Sequence, residues 1–189
     1  MAREGMATLI RRLRAMTGAG DADHTIGQVA YWSDDQLQEA LDATQRALLG
    51  ERLAPLHIVE GGSVRTYAYG FPFGRHFEED APDSGWAVKD SRGQTVTGYS
   101  VDYAARRITF PTDQRGAVYF LDARVYNLAA AAAAVWEQKA AFAAGRLDWW
   151  ADDRYVRGGQ EYQHCMAMAA HCRRLAGPQV ARLVRVDSR

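Results

Sequence analysis

The chain has 189 residues, 48% of them hydrophobic and 24% charged, with a formal net charge of zero. That length suits one domain, or one domain with a sizeable insertion, around a real core. The balanced charge argues against a dedicated nucleic-acid binder, which carries a basic excess to displace phosphate counterions. The longest apolar run, residues 128–136, is far short of the roughly 20 residues a bilayer span needs.

The first zone is helical. Leu9, Leu13 and Met16 recur at helical spacing, and Gly18 and Gly20 close that short helix. Arginines scattered through residues 1–16, with no apolar stretch among them, do not read as a secretory signal. Ser33-Asp34-Asp35-Gln36 then forms a capping box, in which hydroxyl and amide each satisfy the other residue's backbone N–H. Leu37, Leu41, Thr44 and Leu48 predict a second helix that runs on to Gly50.

Helical spacing disappears between about residues 53 and 121. β-Branched and aromatic residues cluster between turn signals and predict strands over 56–60, 64–69, 86–89, 95–101, 107–110 and 117–121. Residues 90–93 and 113–116 supply turns, and Gly98 within its strand predicts a bulge. The stretch 70–85, with two prolines and three consecutive acids, reads as an exposed loop.

The last zone is helical again. Asn127 is placed to cap a helix whose face is Leu128, Ala132, Val135 and Phe142, with Trp136 beside it. Its alanine run allows close helix approach, so Leu128, Ala132, Val135 and Trp136 are the candidate face for packing on another helix or subunit. A fourth helix follows Gly158-Gly159, with Tyr162, Cys165, Met166, Ala169 and Cys172 on one face, and Gly177-Pro178 stops it. The tail mixes Val180, Leu183, Val184 and Val186 with Arg182, Arg185 and Arg189. It has too little apolar mass to fold alone and too much to stay solvated, so it is the candidate docking segment. The resulting expectation is an α+β chain. A bundle of about four helices (1–53 and 122–177) is interrupted between the second and third by a β-rich insertion (54–121) and followed by a docking tail (178–189). On that view residues 54–122 can be replaced by a short linker without loss of the bundle.

No motif carries catalytic chemistry. There is no G-x-S-x-G, no glycine-rich phosphate loop and no H-E-x-x-H. His164-Cys165 and His171-Cys172 are seven residues apart, about 10 Å of helical rise, which suits neither a shared metal ion nor a disulfide. The cysteines read as small buried hydrophobes of an intracellular chain without disulfides. The acids at Asp34-Asp35, Glu78-Glu79-Asp80 and Asp152-Asp153 read as solvated surface. Arg11, Arg12 and Arg14, with Arg173 and Arg174, form basic clusters without aromatic stacking partners. The expectation is a non-enzymatic protein with no metal and no cofactor.

Three passages carry a family resemblance. The first is Trp32-Ser33-Asp34-Asp35-Gln36-Leu37 continuing to Asp42. The second runs from Trp86 and Val88-Lys89-Asp90 through Tyr99-Ser100-Val101-Asp102, Arg107-Ile108-Thr109-Phe110 and Gly116-Ala117-Val118-Tyr119 to Tyr126-Asn127-Leu128. The third comprises Val135-Trp136-Glu137-Gln138-Lys139, Asp148-Trp149, and Gln160-Glu161-Tyr162-Gln163-His164. In this order, over about residues 31–175, they resemble the head-to-tail adaptor (head-tail connector) proteins of siphophages, prophages and gene transfer agents. The family pattern departs at Trp150, where a smaller polar residue is expected. The resemblance implies a virion protein of the neck, assembled in the host cytoplasm. It would form a dodecameric ring beneath the portal protein, accept a stopper or tail component, and pass DNA through its channel without sequence specificity. The tail residues Val180, Arg182, Leu183, Val184, Arg185 and Val186 would then dock on the portal. A small non-viral binding or regulatory module is the competing expectation.

Overall fold

The helix α1 (Ala7–Thr17) buries Leu9 and Leu13 of the predicted stripe together with Ile10, leaves Met16 partly exposed, and ends at Gly18, which takes the left-handed conformation common after a helix. A β1–β2 hairpin (His24–Ile26 and Val29–Tyr31) leads to α2 (Asp34–Asp42). The Ser33–Gln36 capping box is present as the sequence requires, with both reciprocal bonds made. The computed structural model describes residues 2–20, 24–26, 29–72, 74–145, 149–151, 154–156 and 158–177.

The second helix does not continue to Gly50. The Ala43 N–H reaches both the Glu39 and Leu41 carbonyls, and the Thr44 hydroxyl donates to the Leu41 carbonyl at 2.8 Å. The same Thr44 oxygen accepts the Asn127 N–H at 3.2 Å. Those contacts tighten and end the helix, and the chain enters β3 (Arg46–Arg52), where Leu48 is buried as a strand residue.

Nine strands then form two antiparallel sheets. One contains β3, β6 (His76–Phe77), β7 (Ala87–Lys89), β8 (Thr95–Val96) and β11 (Phe120–Tyr126). Its order is β3-β11-β7-β8, with β6 beside β7 on the same flank of β11. The other has the order β4-β5-β10-β9, from β4 (Ala54–Glu60), β5 (Ser63–Gly70), β10 (Arg107–Thr109) and β9 (Ser100–Asp102). The chain passes between the two sheets four times, and the two shortest crossings lie at Leu53 and Gly98. At Leu53, buried with its N–H on the Tyr119 carbonyl (2.9 Å), β3 runs on into β4. At Gly98 (φ +80°) the predicted strand 95–101 turns, so β8 and β9 fall in different sheets. This glycine is a corner rather than a bulge.

The shared core of this unit lies in the strands. Leu53, Tyr69, Val88, Ile108 and Leu121 are fully enclosed, with Phe71, Phe77, Trp86, Phe110 and Tyr119 around them. Edge-to-face ring contacts link Phe71 with Phe77 and Trp86 at 5.2 and 5.6 Å. Each buried aliphatic side chain stabilises by about 1.5–3 kcal/mol. The stretch 70–85 is therefore not a solvated loop: Phe71, Phe77, Glu78 and Ser84 are all buried.

The chain divides into two compact units, Met1–Leu128 and Ala129–Arg189. The second holds α3, which begins at Leu128 (Leu128–Ala144), the β12–β13 hairpin (Trp149–Ala151 and Arg154–Val156) and α4 (Gly158–Ala176). The expected helical bundle with a β insertion is thus overturned. The protein is mixed α+β, with helices at the ends, two antiparallel sheets between them, and α1 and α2 belonging to the sheet-containing unit. Helical periodicity marks a buried face but not what it packs against, and this core cluster is built from residues in the strands and directly flanking them.

Replacing residues 54–122 with a short Gly-Ser linker removes most of that core. The expected outcome is loss of the cooperative thermal transition followed by near-ultraviolet circular dichroism. A deletion product that still melts cooperatively would restore the separable-bundle view.

Candidate interaction surfaces and buried polar centre

Glu78, predicted to be solvated, is fully buried and organises the ends of the first unit. Tyr126 donates its hydroxyl to Glu78 Oε2 at 2.6 Å, Arg3 Nε lies 3.3 Å from Oε1, and Arg124 Nη1 stands 3.6 Å from Oε2. Arg3 also grips Asp42 with two parallel bonds of 2.8 and 2.7 Å, and its backbone N–H donates to Gln38 Oε1 at 2.6 Å. One cluster therefore joins the N-terminal segment, α2, the segment after β6, and β11. Burial, then the Glu78 contact, pushes the Tyr126 hydroxyl well above its ordinary pKa, so it stays a donor. The Arg3 pKa is raised, chiefly by its bonds to Asp42. Gly5 (φ +91°) brings the N-terminal segment against this centre, its carbonyl accepting the Glu79 N–H at 3.2 Å. A Cβ there would lie 2.8 Å from the Glu79 carbonyl oxygen.

Glu78→Gln keeps the shape but removes the charge that both arginines share. It is expected to destabilise the protein by about 2–4 kcal/mol in urea unfolding, and Tyr126→Phe by about 1–2 kcal/mol. Equal stability of wild type and Glu78→Gln would show that the cluster contributes no net stability.

A second carboxylate, the partly buried Asp122, marks a break in the β3–β11 ladder. Register shifts between Leu121 and Ala123, and the Gly50 N–H donates to Asp122 Oδ1 at 2.7 Å instead of to a backbone carbonyl. Lys89 Nζ bonds the other oxygen. Burial alone would raise the Asp122 pKa, but the Lys89 and Gly50 contacts outweigh it and hold the carboxyl below its ordinary value. A lowered folded-state pKa contributes stability that is complete above the unfolded value and is lost as pH falls through the folded one. Asp122→Asn is therefore expected to lower stability at neutral pH, with the gap from wild type closing below about pH 4. A gap that stays constant across an acid titration of urea midpoints would contradict this.

Among the described residues, exposed apolar side chains gather on the β4–β5 ribbon. Its strands are joined by the two-residue turn Gly61-Gly62, and its tip carries Ile58, Val59 and Val64, 49%, 77% and 65% exposed. β10 pairs with β5 only at residues 68–70, so the tip projects as a two-stranded ribbon, a form that is marginal in water by itself. β3 and β4 also stand at the edges of their sheets, which leaves a long strand edge running through Leu53. Near β3 a groove of about 540 Å³ is lined by Leu49, Gly50, Lys89, Phe120 and Asp122, and Leu49 is 75% exposed. Composition could not find the ribbon tip, because Ile58, Val59 and Val64 look like core residues of a strand.

Of the predicted packing face, Leu128, Ala132 and Val135 are buried, and Trp136 is partly buried. Within the second unit, Trp136 meets His164 edge-on at 5.8 Å between ring centres and carries Lys139 over its face at 5.1 Å. Glu137 pairs with Arg173, so α3 and α4 contact each other through aromatic and ionic pairs. Cys165, Ala169 and Cys172 are buried as expected, and burial raises both thiol pKa values. Among the described residues no group of three His, Cys, Asp or Glu side chains is arranged to hold a metal ion. Among them, too, no helix is long and apolar enough to cross a membrane. The tail residues Val180, Arg182, Leu183, Val184, Arg185 and Val186, and the Asp152-Asp153 pair, lie outside the described residues.

Comparison of the chain with family models, with curated proteins and with solved structures found no match.

Proposed function

We propose that this chain is a structural, non-enzymatic subunit of an adaptor ring that joins the portal of a phage head to its tail. The order of the three sequence passages across residues 31–175 carries the reading. The ring would contact the portal on one face and a stopper or tail component on the other, and DNA would pass through its channel without sequence readout. Zero net charge suits such a channel, because a strongly basic wall would hold the DNA. Its place would be the virion neck. The reading does not depend on a helical bundle, since what a ring requires is two different surfaces on one subunit that are complementary to each other. The ribbon tip of Ile58, Val59 and Val64 and the groove at Leu49 and Phe120 are distinct apolar surfaces of the first unit, and they support that requirement.

Sedimentation velocity of the purified protein at rising concentration, or with portal-bearing heads, tests the reading. Wild type is expected to form a closed ring, alone or on the heads. The double change Val59→Lys with Val64→Lys should leave the fold within about 0.5 kcal/mol, as for other exposed sites, while abolishing the ring. Truncation after Gly177 should leave the subunit folded but unable to join heads to tails. A protein that stays monomeric with and without portal-bearing heads would favour the binding-module reading instead.

A further inference from the structure

A different part of the first unit gathers positive charge around a small half-open cleft. Arg12 from α1, His76 from β6 and Arg106 from the turn between β9 and β10 converge on a cavity of about 30 Å³, together with Thr8, Tyr103 and Glu79. We propose that this cavity binds a phosphate-class oxyanion: inorganic phosphate, or the phosphoryl group of a nucleic-acid backbone.

Each donor is held in place by an identifiable contact. Arg106 sits in the left-handed region (φ +55°), where a side chain other than glycine is uncommon, and its guanidinium lies over the faces of Phe77 and Phe71 at 5.5 and 5.9 Å. Arg12 Nη1 lies 3.4 Å from His76 Nδ1. A guanidinium has no acceptor, so Nδ1 accepts, and the neutral ring carries its proton on Nε2 as a donor. Burial first, then the charges of Arg12 and Arg106, lowers the His76 pKa and keeps that form. Tyr103 accepts the Asp80 N–H, leaving its own hydroxyl proton to donate, and burial pushes its pKa up to about 12.

Among the described residues neither Arg12 nor Arg106 is ion-paired with a carboxylate, and Glu79 lines the cavity without pairing to either. Arg106 is instead held below its ordinary pKa, by burial and by Arg12. Two like charges beside one cleft, with neutral donors next to them, form an arrangement that a bound anion relieves. The donors come from three separate elements, which matches a tetrahedral oxyanion. A planar carboxylate is better served by the fork of one arginine. The space admits a group only slightly larger than a water or two, which excludes a nucleobase or sugar from the cavity itself.

Isothermal titration of the full chain with inorganic phosphate, at constant ionic strength made up with sodium chloride, tests the site. Saturable binding of one phosphate per chain is expected. Arg12→Gln and Arg106→Gln should each weaken it about tenfold or more, and Glu79→Gln should tighten it. Because Arg106 occupies a constrained backbone position, Arg12→Gln, an exposed side chain on α1, decides the matter if Arg106→Gln fails to fold. A parallel titration with a short DNA duplex separates the sources. Duplex binding weakened by the same substitutions identifies backbone phosphate as the ligand, and phosphate binding without duplex binding identifies the free ion. No saturable phosphate binding, equal binding of acetate, or unchanged affinity in Arg12→Gln would overturn the proposal.

Discussion

A single buried carboxylate at Glu78 sets where the outer elements of the first unit sit. It is buried away from solvent, so it must be met by Arg3, Arg124 and the Tyr126 hydroxyl, and those partners come from opposite ends of the first unit. Arg3 then extends the constraint to α2 through Asp42 and Gln38. The aromatic core supplies most of the burial, but apolar contacts are non-directional. How α2 and the N-terminal segment lie against the sheets is a matter of direction, and the polar cluster supplies it.

The parts that could be read from the sequence were those governed by neighbours in the chain. The Ser33–Gln36 box, the α1 stripe closed at Gly18, the strand at 107–109 and the buried Cys165–Ala169–Cys172 face all follow from local spacing. What was misread depended on distant partners. Leu48 lies seven residues after Leu41 and fits a helical stripe, but it is equally an inward residue of β3, and the Thr44 contact to Asn127 decides between them. Three adjacent acids looked like surface because no pattern near Glu78 announces the arginine at position 3 or the tyrosine at 126. The bundle expectation failed for the same reason.

The candidate surfaces show a similar division. Helical spacing placed Cys165 and Cys172 on one buried face, because residues seven apart return to the same side of a helix. The ribbon tip and the Arg12–His76–Arg106 cluster could not be found this way. Ile58 and Val59 are ordinary strand residues whose exposure depends on where β10 stops, and the three cationic side chains lie far apart in the chain. Interaction sites built from several strands and turns are therefore less visible in a sequence than catalytic motifs, which often concentrate in one loop or helix.

The passage of one strand through Leu53 has a mechanical consequence. From Arg46 to Glu60 the backbone lies first in one sheet and then in the other. A pull applied at the Gly61-Gly62 tip along β4 is carried by covalent bonds into β3, where it acts lengthwise on the ladder with β11. Hydrogen bonds loaded in that direction share the force and must fail together, whereas a pull across the strands would open them one after another. The ribbon is in effect a tether anchored in shear, and its stiffest axis runs along the strand, towards whatever the tip holds.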